Sequence, residues 1–92
     1  MEELNKKFAN KFFKFKNADD EIMYLFFQDA KNGKEMNSLK FFFEDNKLTF
    51  LRTAHVIHKK NLKEITREEF IKTLKDVSEK ILEPFVKIKV DL

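Results

Sequence analysis

The strongest constraint on this fold is a Phe-rich stretch, Glu21 to Ile57, punctuated by the turn dipeptides Asn32-Gly33 and Asp45-Asn46. Asn-Gly between two apolar runs favours a β-hairpin, because both central residues of a type I′ turn need positive φ. Two such turns divide the stretch into three strands. With two-residue loops, Phe26 faces Leu39, Tyr24 faces Phe41 and Ile22 faces Phe43. Across the second turn Phe43 faces Leu48, Phe41 faces Phe50, Leu39 faces Arg52 and Asn37 faces Ala54. Ile22, Tyr24, Phe26, Leu39, Phe41, Phe43, Leu48 and Phe50 then share one face, which a one-residue slip would scatter. A helix capped by Asp19 and ended by Gly33 is the rival for residues 20–32.

The flanks supply helices. Leu4, Phe8, Phe12 and Phe15 fall within about 80° on a helical wheel, which predicts a helix from Glu2 to about Phe12. Phe13 points away from that stripe, so Phe13 to Lys16 reads as a short extended piece, followed by a turn at Asn17 to Asp20. His58 to Glu64 reads as a polar loop. Thr66 and Glu69 then form a capping box, with Ile65 and Phe70 as a hydrophobic staple. Phe70, Leu74, Val77 and Ile81 lie within about 60° on the following helix. Pro84 is expected to end it, and Val86, Ile88 and Val90 alternate as a last strand. The predicted fold is a single α+β domain over residues 1–92: helix, three-stranded antiparallel meander, helix and short C-terminal strand, with both helices on one sheet face.

Composition narrows the function. Ninety-two residues fit one small domain. There is no Cys, which excludes disulfides and thiolate metal sites. The first residues lack the apolar run of a secretory signal, and the longest apolar run, Ile22 to Phe27, is far below the roughly 20 residues that span a bilayer. A soluble, cytoplasmic protein is expected, without membrane partners. The net charge is +3, yet of 19 basic residues only Arg52 and Arg67 are arginine, the side chain suited to bidentate phosphate and base contacts. Abundant Lys, Asn and Phe with scarce Gly, Pro and Arg is what AT-rich codons produce, so the basicity points to a low-GC bacterium or its phage rather than to a ligand. The five Lys interleaved with Phe between Lys6 and Lys16 fit the solvent side of a helix packed on its own sheet.

No motif commits the chain to chemistry. A single Gly rules out a glycine-rich phosphate loop. The hydroxyl side chains lack a nucleophile elbow. His55 ends a strand and His58 follows it, so the two point to opposite sides, and a third ligand such as Glu64 or Asp45 would still be needed. The pairs Asp19-Asp20 and Glu68-Glu69 fit a turn and a helix first turn. The chain is therefore read as non-catalytic, with no metal and no cofactor.

What remains is the second sheet face. It carries Met23, Leu25, Phe27, Phe42 and Leu51, with Lys40 and His55 among them. If both helices cover the first face, this apolar surface is left for a partner. The sequence thus predicts a small protein-binding protein, an adaptor, chaperone-like protein or inhibitor, acting as a homodimer or on another protein through Met23, Leu25, Phe27, Phe42, Leu51, Lys40 and His55. The alternative is a nucleic-acid-binding module that stacks bases on Phe27 and Phe42, ringed by Lys14, Lys34 and Lys40. Coverage of this face by the N-terminal helix or the last strand would instead make it plain core.

Overall fold

The computed structural model describes residues 2–45, 47–57 and 61–87. Along the chain come α1 (Glu2–Phe8), β1 (Phe12–Lys16), β2 (Ile22–Ala30), β3 (Glu35–Glu44), β4 (Lys47–Val56), β5 (Leu62–Ile65) and α2 (Arg67–Lys87). The strands form one antiparallel sheet in the order β4-β3-β2-β1-β5. The class is α+β, and the described residues form five strands, with β1 and β5 added to the expected three-stranded meander.

The meander has the register that its hydrophobic pattern dictates. Tyr24 pairs with Phe41 and Phe26 with Leu39, and all ten β3–β4 pairs run from Glu35↔Val56 to Glu44↔Lys47. Residues 20–32 are therefore not helical. The two turns differ. Asp45 has φ 51°, as a tight two-residue hairpin requires. Neither Asn32 nor Gly33 has positive φ. The connection there is a four-residue loop held by Asn32, whose Oδ1 accepts from Lys34 N and Glu35 N, both at 2.8 Å. An irregularity between Phe27 and Ala30 compensates for the different loop, so the pairing upstream matches that of a two-residue turn. Face complementarity wins over turn type.

The N-terminal helix is shorter than the wheel predicts. Asn10 sits at φ 60°, the left-handed position that commonly follows a helix C-terminus. Its N–H donates to Phe27 O at 2.8 Å, and Phe27 N donates to Lys11 O at 3.1 Å. From Asn10 onward the chain is thus bonded to β2. Phe12 and Phe15, which a wheel places beside Leu4 and Phe8, stand on β1 on opposite faces of the sheet. The turn that follows is tied by Asn17, whose Oδ1 accepts from Asp19 N and Glu21 N at 2.9 Å.

The two helices lie on opposite faces, which corrects the expected arrangement. Leu4 and Phe8 of α1 pack with Phe13, Leu25, Phe27 and Met36. Phe70 and Leu74 of α2 pack with Phe12, Tyr24, Phe26, Phe41 and Ile65. The sheet curls around the first cluster: the rings of Phe15 on β1 and His55 on β4 lie 5.1 Å apart, whereas in a flat sheet three strand spacings alone, about 14 Å, would separate them, with their offset along the strands adding to it. The α1 side is therefore concave, small and closed. The α2 side is convex, and one helix does not cover it.

At the C-terminal side, Thr66 caps α2 as expected, its Oγ1 accepting from Glu69 N at 3.0 Å. The preceding segment is not wholly loop, since Leu62–Ile65 pairs with β1. Pro84 does not end the helix, which continues to Lys87 without the hydrogen bond that a Pro nitrogen cannot donate. Val86 is thus helical. Ile88 and Val90 of the expected last strand lie outside the described residues.

Candidate functional site

The curl of the sheet decides which side chains can meet a partner. Leu25 and Phe27 are both 0% exposed. The ring of Phe27 is enclosed by Phe8 at 6.0 Å, Phe13 at 5.3 Å and His55 at 5.9 Å. These two residues are core and present no surface to a partner, contrary to the sequence expectation. The reason is α1: by ending at Phe8 it folds back onto this face instead of joining α2. Met23, Lys40, Phe42 and His55 are half-buried on the same concave side. Met23 pairs with Phe15, Lys40 sits between Leu25 and Leu51, Phe42 faces Thr49, and His55 packs its ring against Phe15 and Phe27. Leu51 alone of the seven predicted contacts is exposed, at 43%. The base-stacking platform loses Phe27 in the same way.

Ser38 is fully buried, and its hydroxyl donates to Thr53 O at 3.1 Å. A buried hydroxyl satisfied by its own sheet carries little penalty, so Ser38 does not mark a wet surface.

The exposed apolar surface is on the convex side. Ile22, Phe43, Phe50 and Val56 stand there on three strands, with Phe50 at 63% exposure. No family model matches this chain, and neither a curated protein nor a solved structure matches it. The site must therefore be read from its own geometry. Beside Phe50, a groove of about 310 Å³ runs between α2 and the sheet, lined by Phe12, Phe26, Phe41, Phe50, Phe70 and Ile71 among others. Its aromatic walls are ordered: Phe70 lies 4.8 Å from Phe12 and 5.1 Å from Phe41, and Tyr24 stacks on Phe41 at 5.1 Å. Ile71 at its rim is 44% exposed. The sequence pattern places Phe50 in the core because it assigns both helices to this face, whereas α1 lies on the other and leaves α2 alone to cover it. Ile71 carried a signal, since it flanks the Phe70–Ile81 stripe by about 100° on the wheel.

The electrostatics of the site are sparse. Glu44, at the exposed end of β3, has its carboxyl held above the ordinary carboxylate range, chiefly by the neighbouring Glu21 and further by Asp45. Repulsion from Glu21 leads, with partial desolvation and a side-chain hydrogen bond to Glu21 adding to it. Among the described residues, no group of three or more His, Cys, Asp or Glu side chains is placed to hold a metal ion. Nor is any described helix long and apolar enough to cross a membrane.

Proposed function

We propose that the chain is a small, non-catalytic protein-binding protein, an adaptor, chaperone-like protein or inhibitor, that works through its convex sheet face beside α2 and associates as a homodimer. The observation that carries this reading is Phe50, a large aromatic side chain left mostly in water at the mouth of an apolar groove. Contiguous apolar surface of this kind on a small domain marks an association site, and aromatic side chains are its usual anchors. The groove supplies the pocket into which such an anchor fits.

The reading is tested by light-scattering mass across a hundredfold range of protein concentration, in low and high salt. The expected result is a dimer that persists in high salt, because burial of apolar surface does not depend on released counterions. A chain that stays monomeric throughout and instead retains nucleic acid, losing it steeply as salt rises, would overturn it.

A further inference from the structure

Among the described residues β4 is an edge of the sheet, and it spans ten residues. The opposite edge, β5, has only four. Proteins blunt edge strands by keeping them short, or with Pro, bulges or charges. β4 contains no Pro and only two charged side chains, Lys47 and Arg52. Its ladder with β3 is unbroken over its whole length. Ile57 N donates to Lys34 O at 3.1 Å, continuing that ladder. By the antiparallel alternation, odd-numbered residues of β4 turn their backbone groups toward β3, and Leu48, Phe50, Arg52, Ala54 and Val56 turn theirs outward.

The second helix adds to this edge. At 1.5 Å per residue its 21 residues span about 31 Å, whereas five strands at about 4.8 Å spacing make a sheet about 19 Å wide. α2 leaves β5, packs over β1 and approaches β4 at the far edge. The helix is thus longer than the sheet is wide. Of the stripe Phe70, Leu74, Val77 and Ile81 only Phe70 is buried, and Leu82 beside it is 54% exposed.

We propose that β4 pairs antiparallel with β4 of a second copy about a two-fold axis at Leu51, giving a continuous ten-stranded sheet. The proposal rests on the homodimer reading above and names its interface. Sequence selects the register. An axis at Arg52 would oppose two guanidinium groups. An axis at Leu51 sets Leu51 against Leu51 and, twice over, Phe50 against Arg52, a cation beside an aromatic ring. Leu48 and Ala54 pair outside them. Four outward residues from each copy then exchange about eight backbone hydrogen bonds. The same rotation brings the incompletely buried C-terminal half of α2 toward the convex face of the other copy, where Phe50 is exposed. One contact thus accounts for the unprotected edge, the exposed Phe50 and the uncovered helix stripe.

The chain has no Cys, so single-Cys variants give unambiguous cross-links. In this register the two Leu51 residues form a non-hydrogen-bonded pair with Cα atoms about 4.5 Å apart, within disulfide range. Two Thr49 residues are offset by four positions, about 13 Å along the strand, and cannot bridge. Under mild oxidation Leu51→Cys should form a covalent dimer at least tenfold faster than Thr49→Cys, and a mixture of Thr49→Cys with Thr53→Cys should cross-link between the two. Ala54→Pro, which removes an outward N–H and no β3 bond, should shift the chain toward monomer. If that variant does not fold, the cross-linking rates decide alone. A persistent dimer in which Leu51→Cys reacts no faster than Thr49→Cys overturns the edge interface and leaves the homodimer standing. A monomeric chain whose β4 amides gain exchange protection only from an added extended peptide overturns the second copy as occupant. A monomer at every concentration with no partner overturns both.

Discussion

Replacing Phe27 by Ala tests the assignment of the two sheet faces. Phe27 is fully buried and its ring meets those of Phe8, Phe13 and His55. Phe→Ala at such a site costs about 3–5 kcal/mol through lost transfer energy and the cavity left behind. At about 2.1 cal/mol/K per residue, 92 residues give an unfolding entropy near 0.2 kcal/mol/K, so each kcal/mol moves Tm by about 5 °C. Phe27→Ala should lower Tm by about 15–25 °C. Phe50 is the control. It is 63% exposed, with its ring 6.3 Å from Phe41, so only about a third of the roughly 1.5–3 kcal/mol for full burial of Phe is at stake. Phe50→Ala should cost under about 1 kcal/mol, or less than about 5 °C. The assay is far-UV circular dichroism melting at the lowest workable protein concentration, where association contributes least. Equal losses, or a larger loss at Phe50, would refute the placement of α1 over Leu25 and Phe27.

Three further outcomes are expected. Thr66→Ala should cost about 1 kcal/mol, because it removes the hydroxyl that accepts from Glu69 N, and amide exchange at Glu69 should accelerate; an unchanged rate would place the helix start elsewhere. Asn10→Gly should be tolerated, whereas Asn10→Val should cost about 1–2 kcal/mol, since the residue sits at φ 60°; equal melting points for the two variants would contradict that conformation. Glu44→Gln should raise Tm at neutral pH by removing repulsion from Glu21. Because the folded carboxyl titrates above its ordinary value, the native state holds its proton longer, and the wild type loses stability as pH rises through that window. The advantage of Gln should therefore vanish below the ordinary carboxylate range, and a benefit that persists in acid would have another cause.

Much of the meander was legible because register is a global property of alternating side chains. Tyr24, Phe26, Phe41 and Phe50 share a face only in alignments of one parity, and the turn positions pick one of these, so the pairing is legible even though the Asn32-Gly33 turn is of another type. The capping box at Thr66 was legible because it is local. The position of α1 was not. The wheel of Leu4, Phe8, Phe12 and Phe15 fits a helix, yet Asn10 in a left-handed conformation stops it, and Phe12 to Lys16 satisfies its backbone against β2 and β5. Reading Asn17 to Glu21 as a hairpin turn, with Phe13 and Phe15 alternating before it, would have added β1 to the sheet. The covered face then follows from curvature. Strands that curl enough to bring Phe15 to His55 enclose one side, and no count of apolar residues per face contains that information.

The homodimer reading meets its most direct test in sedimentation equilibrium of the wild type beside Phe50→Lys, which in the β4 pairing sets a lysine against Arg52 of the second copy. Phe50 is 63% exposed and contributes little to the fold, so the charged variant should keep its circular dichroism spectrum. The wild type should fit a monomer–dimer equilibrium, and Phe50→Lys should sediment as a folded monomer. A wild type that is monomeric at every concentration, or a Phe50→Lys dimer as tight as the wild type, would contradict association through the convex face.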